Sequence, residues 1–111
     1  MDEYRLCSIV DIGDPGAREF QIDADGTRAS IFVVRWGGAI YAYYNRCPHT
    51  GVTLNWLPDQ FFDYDTQYLQ CAMHGARFRP EDGLCVWGPC LGQALQPVAL
   101  RQEEDVVYVT L

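Results

Sequence analysis

The sequence predicts an antiparallel all-β fold, and three features of the chain support that class. No window shows the 3.6-residue spacing of apolar residues that marks an amphipathic helix. Aromatic residues make up 14% of the chain and, with the β-branched residues, favour strands. Turn sequences separate the apolar runs at short intervals, as they do in sandwiches and small barrels. A chain of 111 residues is expected to form a single domain, residues 1–111, around one core.

The first part of the chain is predicted to form four strands. The first strand covers residues 4–10. The next two, residues 19–23 and 29–36, flank an Asp25-Gly26 pair, which is a hairpin signal. A Gly37-Gly38 turn then leads into a fourth strand at residues 39–44.

Further strands are predicted after a central segment that is rich in loop-forming residues. One strand covers residues 66–71, and another, residues 84–87, follows the turn at residues 80–83. Residues 95–101 and 106–111 are predicted to close the chain as a hairpin around residues 102–105. Antiparallel hairpins of this kind are the usual components of a sandwich or a small barrel.

Composition and charge exclude several classes of protein. Hydrophobic residues are 49% and charged residues 21% of the chain, which argues against intrinsic disorder. The net charge of −7 argues against binding to nucleic acid or to anionic membrane surfaces. The N-terminal residues are polar, and no apolar run approaches the ~20 residues of a membrane helix, so we expect no export signal, no membrane anchor and a cytoplasmic location.

Two short motifs bring together the residue types that bind metals. Cys47 lies two residues before His49, and Cys71 lies three residues before His74. These are the only two histidines of the chain, and each motif is followed within two residues by a glycine. Both motifs lie in segments with turn-forming residues, so two loops could converge to present two thiolates and two imidazoles.

Three interpretations of these motifs compete. The cysteines could simply act as small buried hydrophobic residues. Two cysteines and two histidines are also a ligand set for tetrahedral zinc, although Cys-x-His is an unusual spacing for a zinc finger. The third interpretation is a [2Fe–2S] centre with two thiolates on one iron and two imidazoles on the other, as in Rieske centres. The paired spacing of both histidines argues against the first.

Segments 47–51 (CPHTG) and 71–75 (CAMHG) resemble the two cluster-binding loops of the Rieske iron–sulfur family. Gly88-Pro89 is similar to the proline-containing third loop that covers the cluster in that family. The resemblance implies one [2Fe–2S] cluster, with Cys47 and Cys71 on one iron and His49 and His74 on the other. It also implies an antiparallel β-sandwich base, residues 1–44 and 91–111, which carries a small cluster-binding part, residues 45–90.

The kind of Rieske protein is indicated by what the loops lack. High-potential members, found in respiratory and photosynthetic cytochrome complexes, carry an extra cysteine in each loop, and the two form a disulfide. Here Val52 and Met73 stand at those places. The chain therefore resembles the soluble Rieske ferredoxins, which pass single electrons from a reductase to an oxygenase. A fixed subunit of another oxidoreductase complex, such as nitrite reductase, and a zinc-binding structural module remain as alternatives.

We expect an electron-transfer protein rather than an enzyme. A terminal Rieske oxygenase needs a second iron held by two histidines and a carboxylate, and both histidines here are assigned to the cluster. The reduction potential should be low, because the Ser and Tyr that donate hydrogen bonds to the cluster in high-potential relatives are replaced by Ala76 and Phe78. The expected value lies at the low end of the Rieske range, near ~−150 mV.

Two further features carry open hypotheses. The segment at residues 55–67 is longer than in typical Rieske ferredoxins, and its aromatic and apolar side chains could form either a local core or a docking patch. They are Trp56, Leu57, Phe61, Phe62 and Tyr64. The remaining cysteines, Cys7, Cys85 and Cys90, are expected to be small buried hydrophobic residues, and none is assigned as a ligand. Cys85 and Cys90 flank the third loop, so they could also form a redox-sensitive pair.

Overall fold

The computed structural model describes residues 3–24, 26–48, 53–55, 59, 61–62, 68–72 and 75–111. This part of the chain contains strands and one short 3₁₀ turn, Ile9–Asp11, and within it no helix is long and apolar enough to cross a membrane. The strands are β1 (Glu3–Ser8), β2 (Gly16–Ala24), β3 (Thr27–Trp36), β4 (Ala39–Tyr44), β5 (Leu69–Gln70), β6 (Arg77–Phe78), β7 (Cys85–Trp87), β8 (Ala99–Glu103) and β9 (Val106–Thr110). The all-β prediction is confirmed.

Two antiparallel sheets form the sandwich at the base of the molecule. Their strand orders are β1-β9-β8 and β2-β3-β4. The central strand β3 is fully buried from Ile31 to Val34, and its side chains alternate between two cores. Ile31 and Val33 pack in the core that also contains Val107 and Val109 of β9.

A second core lies on the other face of the β2-β3-β4 sheet and supports the loops. Phe32 and Val34 contribute to it from β3, and Tyr43 contributes from β4. The small sheet β5-β6-β7 and its flanking loops supply the rest of the buried side chains, which are Cys47, Leu54, Phe61, Leu69, Cys71, Ala76, Phe78, Cys85, Cys90 and Leu95. The loop region is therefore built directly on the sandwich, and one buried cluster joins them. The exact division into a base and a cluster-binding part stays a prediction.

Most predicted strands are found, and the differences have physical causes. Strand β8 begins at Ala99 rather than at residue 95. Its predicted first part instead bonds to other segments, since the Val98 amide donates to the Ala42 carbonyl at 2.9 Å and the Leu95 amide donates to the Gly83 carbonyl at 2.9 Å. Pro97 also lacks the amide that a continuous ladder requires. The described part of the strand predicted at residues 66–71 is two residues long, Leu69–Gln70.

Candidate metal centre

The first loop leaves β4 and places Cys47 in the second core, where its side chain is fully buried. Asn45 holds the base of this loop and is the buried polar residue of the described chain, with 4% of its surface exposed. Its Oδ1 accepts a hydrogen bond from the Leu54 amide at 2.9 Å. Its Nδ2 donates to Glu19 Oε2 at 3.0 Å and to Asn55 Oδ1 at 2.9 Å. One side chain thus ties both ends of the loop to strand β2.

The Glu19 carboxylate completes this polar network. Asn55 Nδ2 donates to Glu19 Oε1 at 3.1 Å, and the Ser30 hydroxyl donates to Oε2 at 3.3 Å. A carboxylate that accepts several bonds at the edge of the core fixes the loop geometry more firmly than single neutral bonds would. The sequence did not predict this network, because Glu19 and Ser30 lie far from Asn45 in the chain and no local motif signals their contact.

The second loop begins directly after β5 with Cys71, which is also fully buried. The Cys71 amide donates to the Ala76 carbonyl at 2.9 Å, and the Gly75 amide donates back to the Cys71 carbonyl at 2.9 Å. Gly75 has φ +69°, a left-handed conformation that side chains other than glycine rarely adopt. These two bonds hold Gly75 and Ala76 against Cys71.

Among the described residues, a backbone bond connects the two loops. The Ala72 amide, one residue after Cys71, donates to the carbonyl of Leu54 at 2.7 Å. The Leu54 amide in turn donates a hydrogen bond to Asn45 Oδ1. The two predicted thiolate ligands therefore share one buried cluster, on loops that are bonded to each other. The other predicted ligands, His49 and His74, lie outside the described residues.

The third loop lies against the second. A β-carbon on Gly88 would lie 2.8 Å from the Cα of Ala76, so a larger residue would push the loops apart. Trp87, which precedes Gly88, lies close to Gly75: its Cζ3 is 3.6 Å from the position that a β-carbon on Gly75 would occupy. Even so, 58% of the Trp87 surface is exposed. The Arg77 guanidinium lies 5.5 Å from the centroid of the Trp87 ring, a cation–π contact. An exposed indole therefore stands beside the residue that follows His74.

Cys47 and Cys71 are chemically suited to an iron–sulfur centre, and the assignment of His49 and His74 as its other ligands stays a prediction. Cys47 and Cys71 are fully buried thiols, and a buried thiolate is stable when it binds a metal. The described residues contain no group of three or more Cys, His, Asp or Glu that could bind a metal by itself. Ala76 and Phe78 are both fully buried, and neither side chain can donate a hydrogen bond there.

The long segment between the loops packs on the sandwich through its described residues. The Phe61 ring is fully buried and stacks on the Phe32 ring, with centroids 4.2 Å apart and planes 10° apart. The Phe61 carbonyl accepts from the Gln70 amide at 2.8 Å, and Asp59 Oδ1 accepts from the Glu19 amide at 2.7 Å. Phe61 therefore belongs to the core, as the local-core hypothesis predicted, and the docking hypothesis is wrong for this residue. Trp56, Leu57 and Tyr64 lie outside the described residues.

The three remaining cysteines are buried and free, as expected. Burial raises the pKa of the Cys7 thiol above its ordinary value. Burial, followed by the hydrogen bond to Cys85, raises the pKa of Cys90 to about 12. The Sγ atoms of Cys85 and Cys90 are 3.1 Å apart, so the two thiols face each other across the start and end of the third loop.

Comparison with known proteins identifies the family. A family model described as "Rieske [2Fe-2S] domain" matches residues 2–104. The chain belongs to the Rieske [2Fe-2S] family, and a Rieske-type cluster is the cofactor that this membership implies.

The chain is similar to components of one kind of dioxygenase. It is 39% identical over 56 residues to the terminal oxygenase component CarAa of carbazole 1,9a-dioxygenase from Sphingomonas sp, a match that covers 50% of this chain and 14% of that protein. The fold is similar to the terminal oxygenase of carbazole 1,9a-dioxygenase from Novosphingobium sp. KA1, with TM-score 0.78, 22% identity, and coverage of 98% of this chain and 29% of that chain.

The fold also matches a protein of similar length. The ferredoxin of carbazole 1,9a-dioxygenase from Nocardioides aromaticivorans IC177 is 22% identical, with TM-score 0.72, and the match covers 99% of this chain and 98% of that chain. At this level of identity the likeness establishes the fold. The same fold thus occurs both as a nearly whole ferredoxin and as a minor part of an oxygenase.

Proposed function

We propose that the chain is a single-electron carrier that holds one Rieske [2Fe–2S] cluster and delivers electrons to an oxygenase. Cys47 and Cys71 bind one iron, and His49 and His74 bind the other. The observation that carries the proposal is the burial of Cys47 and Cys71 in one cluster, on loops that the Ala72–Leu54 backbone bond connects, in a chain of the Rieske family. The base is formed by residues 1–44 and 91–111, and the cluster-binding part by residues 45–90.

The cluster supplies one-electron chemistry, and its two neutral imidazoles make it easier to reduce than an all-cysteine cluster. The protein's own residues set its environment. Asn45 and Glu19 fix the first loop. In the second loop, the Cys71 amide donates to the Ala76 carbonyl, and the Gly75 amide donates to the Cys71 carbonyl. The apolar core around both cysteines keeps water away from the sulfur side. With Ala76 and Phe78 in place of donors, the potential lies at the low end of the Rieske range.

The exposed face beside Gly75, the residue that follows His74 in the sequence, is the place where electrons enter and leave. Trp87 is exposed next to Gly75 and is held by Arg77, so it offers an aromatic contact close to a ligand loop. Aromatic residues are enriched at protein interfaces, and the fold is similar to that of a ferredoxin of a dioxygenase system. The partners are therefore a reductase and an oxygenase, which meet the chain one at a time in the cytoplasm.

A second candidate is a fixed Rieske unit within a larger oxidoreductase. The similarity to the oxygenase component CarAa and to the Novosphingobium terminal oxygenase favours it, because the matches cover only 14% and 29% of those proteins. In this case the same cluster would pass electrons inside a permanent complex.

Anaerobic stopped-flow mixing distinguishes the two candidates. The holoprotein is reduced with one electron equivalent per chain and mixed with the oxidised terminal oxygenase of a carbazole 1,9a-dioxygenase. If the chain is a carrier, its rate of oxidation rises in proportion to the oxygenase concentration. Trp87→Ala should slow this reaction. Leu91→Ala, at another exposed apolar residue, is the matched control and should not slow it. A rate independent of oxygenase concentration, or no transfer to the oxygenase, contradicts the carrier.

A further inference from the structure

Two cysteines that the cluster does not use face each other in the third loop. Cys85 belongs to β7, and Cys90 follows Gly88-Pro89. Their Sγ atoms are 3.1 Å apart, and each residue has 1% of its surface exposed. A disulfide has an S–S length of ~2.05 Å, so bond formation needs the two sulfurs to approach by about 1 Å.

The backbone around the pair holds the two sulfurs at this separation. The Cys85 amide donates to the Gln93 carbonyl at 2.8 Å, and the Gln93 amide donates to the Cys90 carbonyl at 2.9 Å. Both cysteines therefore bond to the same residue, which fixes one relative to the other. The two sulfurs are therefore close because of this short turn, and their closeness does not depend on contacts with distant parts of the chain.

The thiol protons form an ordered chain. Cys90 Sγ donates to Cys85 Sγ, and Cys85 Sγ donates to the Trp87 carbonyl at 3.3 Å. In the dithiol state the loop carbonyl thus has a thiol donor. A disulfide would have no S–H group, so it would remove this bond and replace it with a covalent link between the two ends of the loop.

We propose that Cys85 and Cys90 are a dithiol/disulfide couple, a second redox site in addition to the cluster. Two S–H bonds break and one S–S bond forms. The two electrons and two protons pass to a low-molecular-weight disulfide such as oxidised glutathione, which becomes two thiols. The step proceeds by thiol–disulfide exchange through a mixed disulfide, and because both thiols are buried it requires the third loop to open. The couple transfers two electrons, whereas the cluster transfers one, and it does not rest on the proposed function.

Oxidation would act on the loop that covers the second ligand loop. The linked segment, residues 85–90, contains Trp87 and Gly88, which contact Gly75 and Ala76 respectively. A covalent link between Cys85 and Cys90 restricts the opening of this segment, because its two ends can no longer separate. We therefore expect the disulfide form of the holoprotein to release iron to a chelator more slowly than the dithiol form.

The test equilibrates the holoprotein anaerobically with glutathione buffers of increasing oxidised fraction. Free thiols are then alkylated under acid-quenched denaturing conditions and mapped by mass spectrometry, while the visible spectrum monitors the cluster. We expect a Cys85–Cys90 cross-linked peptide, 2 Da lighter than the dithiol form. Its ratio to the dithiol form should rise in proportion to the oxidised glutathione concentration divided by the square of the reduced glutathione concentration.

Variants make the result specific. Cys7→Ser, a change at a buried cysteine in the other core, should leave the cross-link unchanged. Cys85→Ser and Cys90→Ser should each abolish it, and retention of the cluster spectrum shows that the variant is folded. Absence of the cross-link across the series, glutathione adducts on Cys85 or Cys90 without it, or a link to Cys47 or Cys71 would overturn the proposal.

Discussion

Gly88 rests on Ala76 so closely that a β-carbon at position 88 would lie 2.8 Å from the Ala76 Cα. The third loop therefore covers the second ligand loop at the residue where high-potential relatives carry a serine. A hydroxyl introduced at this position would lie in a closed, fully buried site. In such a site it has no water to bond to, and we expect it to donate to the cluster proposed at Cys47 and Cys71.

The reduction potential should rise when donors are restored. Ala76→Ser and Phe78→Tyr each add one hydroxyl, and donors aimed at the cluster stabilise the more negative, reduced state more than the oxidised state. If ~1–2 kcal/mol of each bond differs between the redox states, each variant raises the potential by ~40–90 mV. Protein-film voltammetry measures the change, and Ala17→Ser, a hydroxyl added at the edge of the same core, is the control. A wild-type reduction potential above zero, or no rise in the potential when Ala76→Ser and Phe78→Tyr are combined, contradicts this explanation.

Removal of the Asn45 side chain should loosen the first loop. Asn45→Ala leaves the Leu54 amide without its acceptor, and the loss of a partner for a buried group costs ~1–3 kcal/mol. We expect a lower melting temperature and faster bleaching of the visible spectrum when a chelator is added. Gln21→Ala is the matched control, because Gln21 donates to the same Glu19 carboxylate, at 3.4 Å, from an exposed position. Equal bleaching rates in the two variants would show that Asn45 does not hold the loop.

Phe61 should matter for stability and not for docking. Phe61→Ala removes a fully buried ring that stacks on Phe32, and such losses cost ~3–5 kcal/mol. Phe62→Ala, at a partly buried position, should cost less. Thermal unfolding monitored by circular dichroism compares them. If Phe61→Ala slows electron transfer to the oxygenase without lowering the melting temperature, Phe61 acts at an interface instead.

Stability should fall at alkaline pH through Tyr43. Burial, followed by the charge of Asp82, raises the pKa of Tyr43 well above its ordinary value of 10.0, and the hydroxyl donates to the Pro80 carbonyl at 2.7 Å. The neutral Tyr43 phenol contributes its full share of the free energy of unfolding below pH ~10, where the phenol is protonated in both the folded and the unfolded state. This contribution is lost as pH rises from ~10 towards the folded pKa, by at most ~1.4 kcal/mol per pH unit.

Melting temperatures from pH 8 to 11 test this coupling. Wild type should exceed Tyr43→Phe at pH 8, because the buried hydrogen bond contributes about 1 kcal/mol. The difference should shrink or reverse above pH ~10, since only the wild type has a phenol to ionise at this position. A constant difference across the range would show that Tyr43 does not couple folding to proton release.

Local sequence patterns predicted most of the fold. Strand β4 and the hairpin of β8 and β9 follow from short apolar runs and turn residues that lie next to each other in sequence. Cys47 and Cys71 were predicted from motif spacing, and the structure places both in one buried cluster.

Contacts between distant residues could not be predicted in this way. The Asn45 network joins residues up to 36 positions apart, and no short motif reports such a contact. Phe61 shows the same limit, because an aromatic residue in a long loop can face solvent or the core with the same local sequence. The 3.1 Å approach of Cys85 and Cys90 depends on the turn that both bond to at Gln93, which their spacing alone does not define.

Metal and sulfide analysis of the purified holoprotein, combined with electron paramagnetic resonance of its reduced form, tests the central claim most directly. The account predicts two irons and two labile sulfides per chain, with hyperfine couplings from two imidazole nitrogens. It also predicts loss or change of this signal in His49→Ala and His74→Ala, while Cys7→Ser keeps it. One zinc per chain with no labile sulfide, or a reduced cluster without nitrogen couplings, would contradict it.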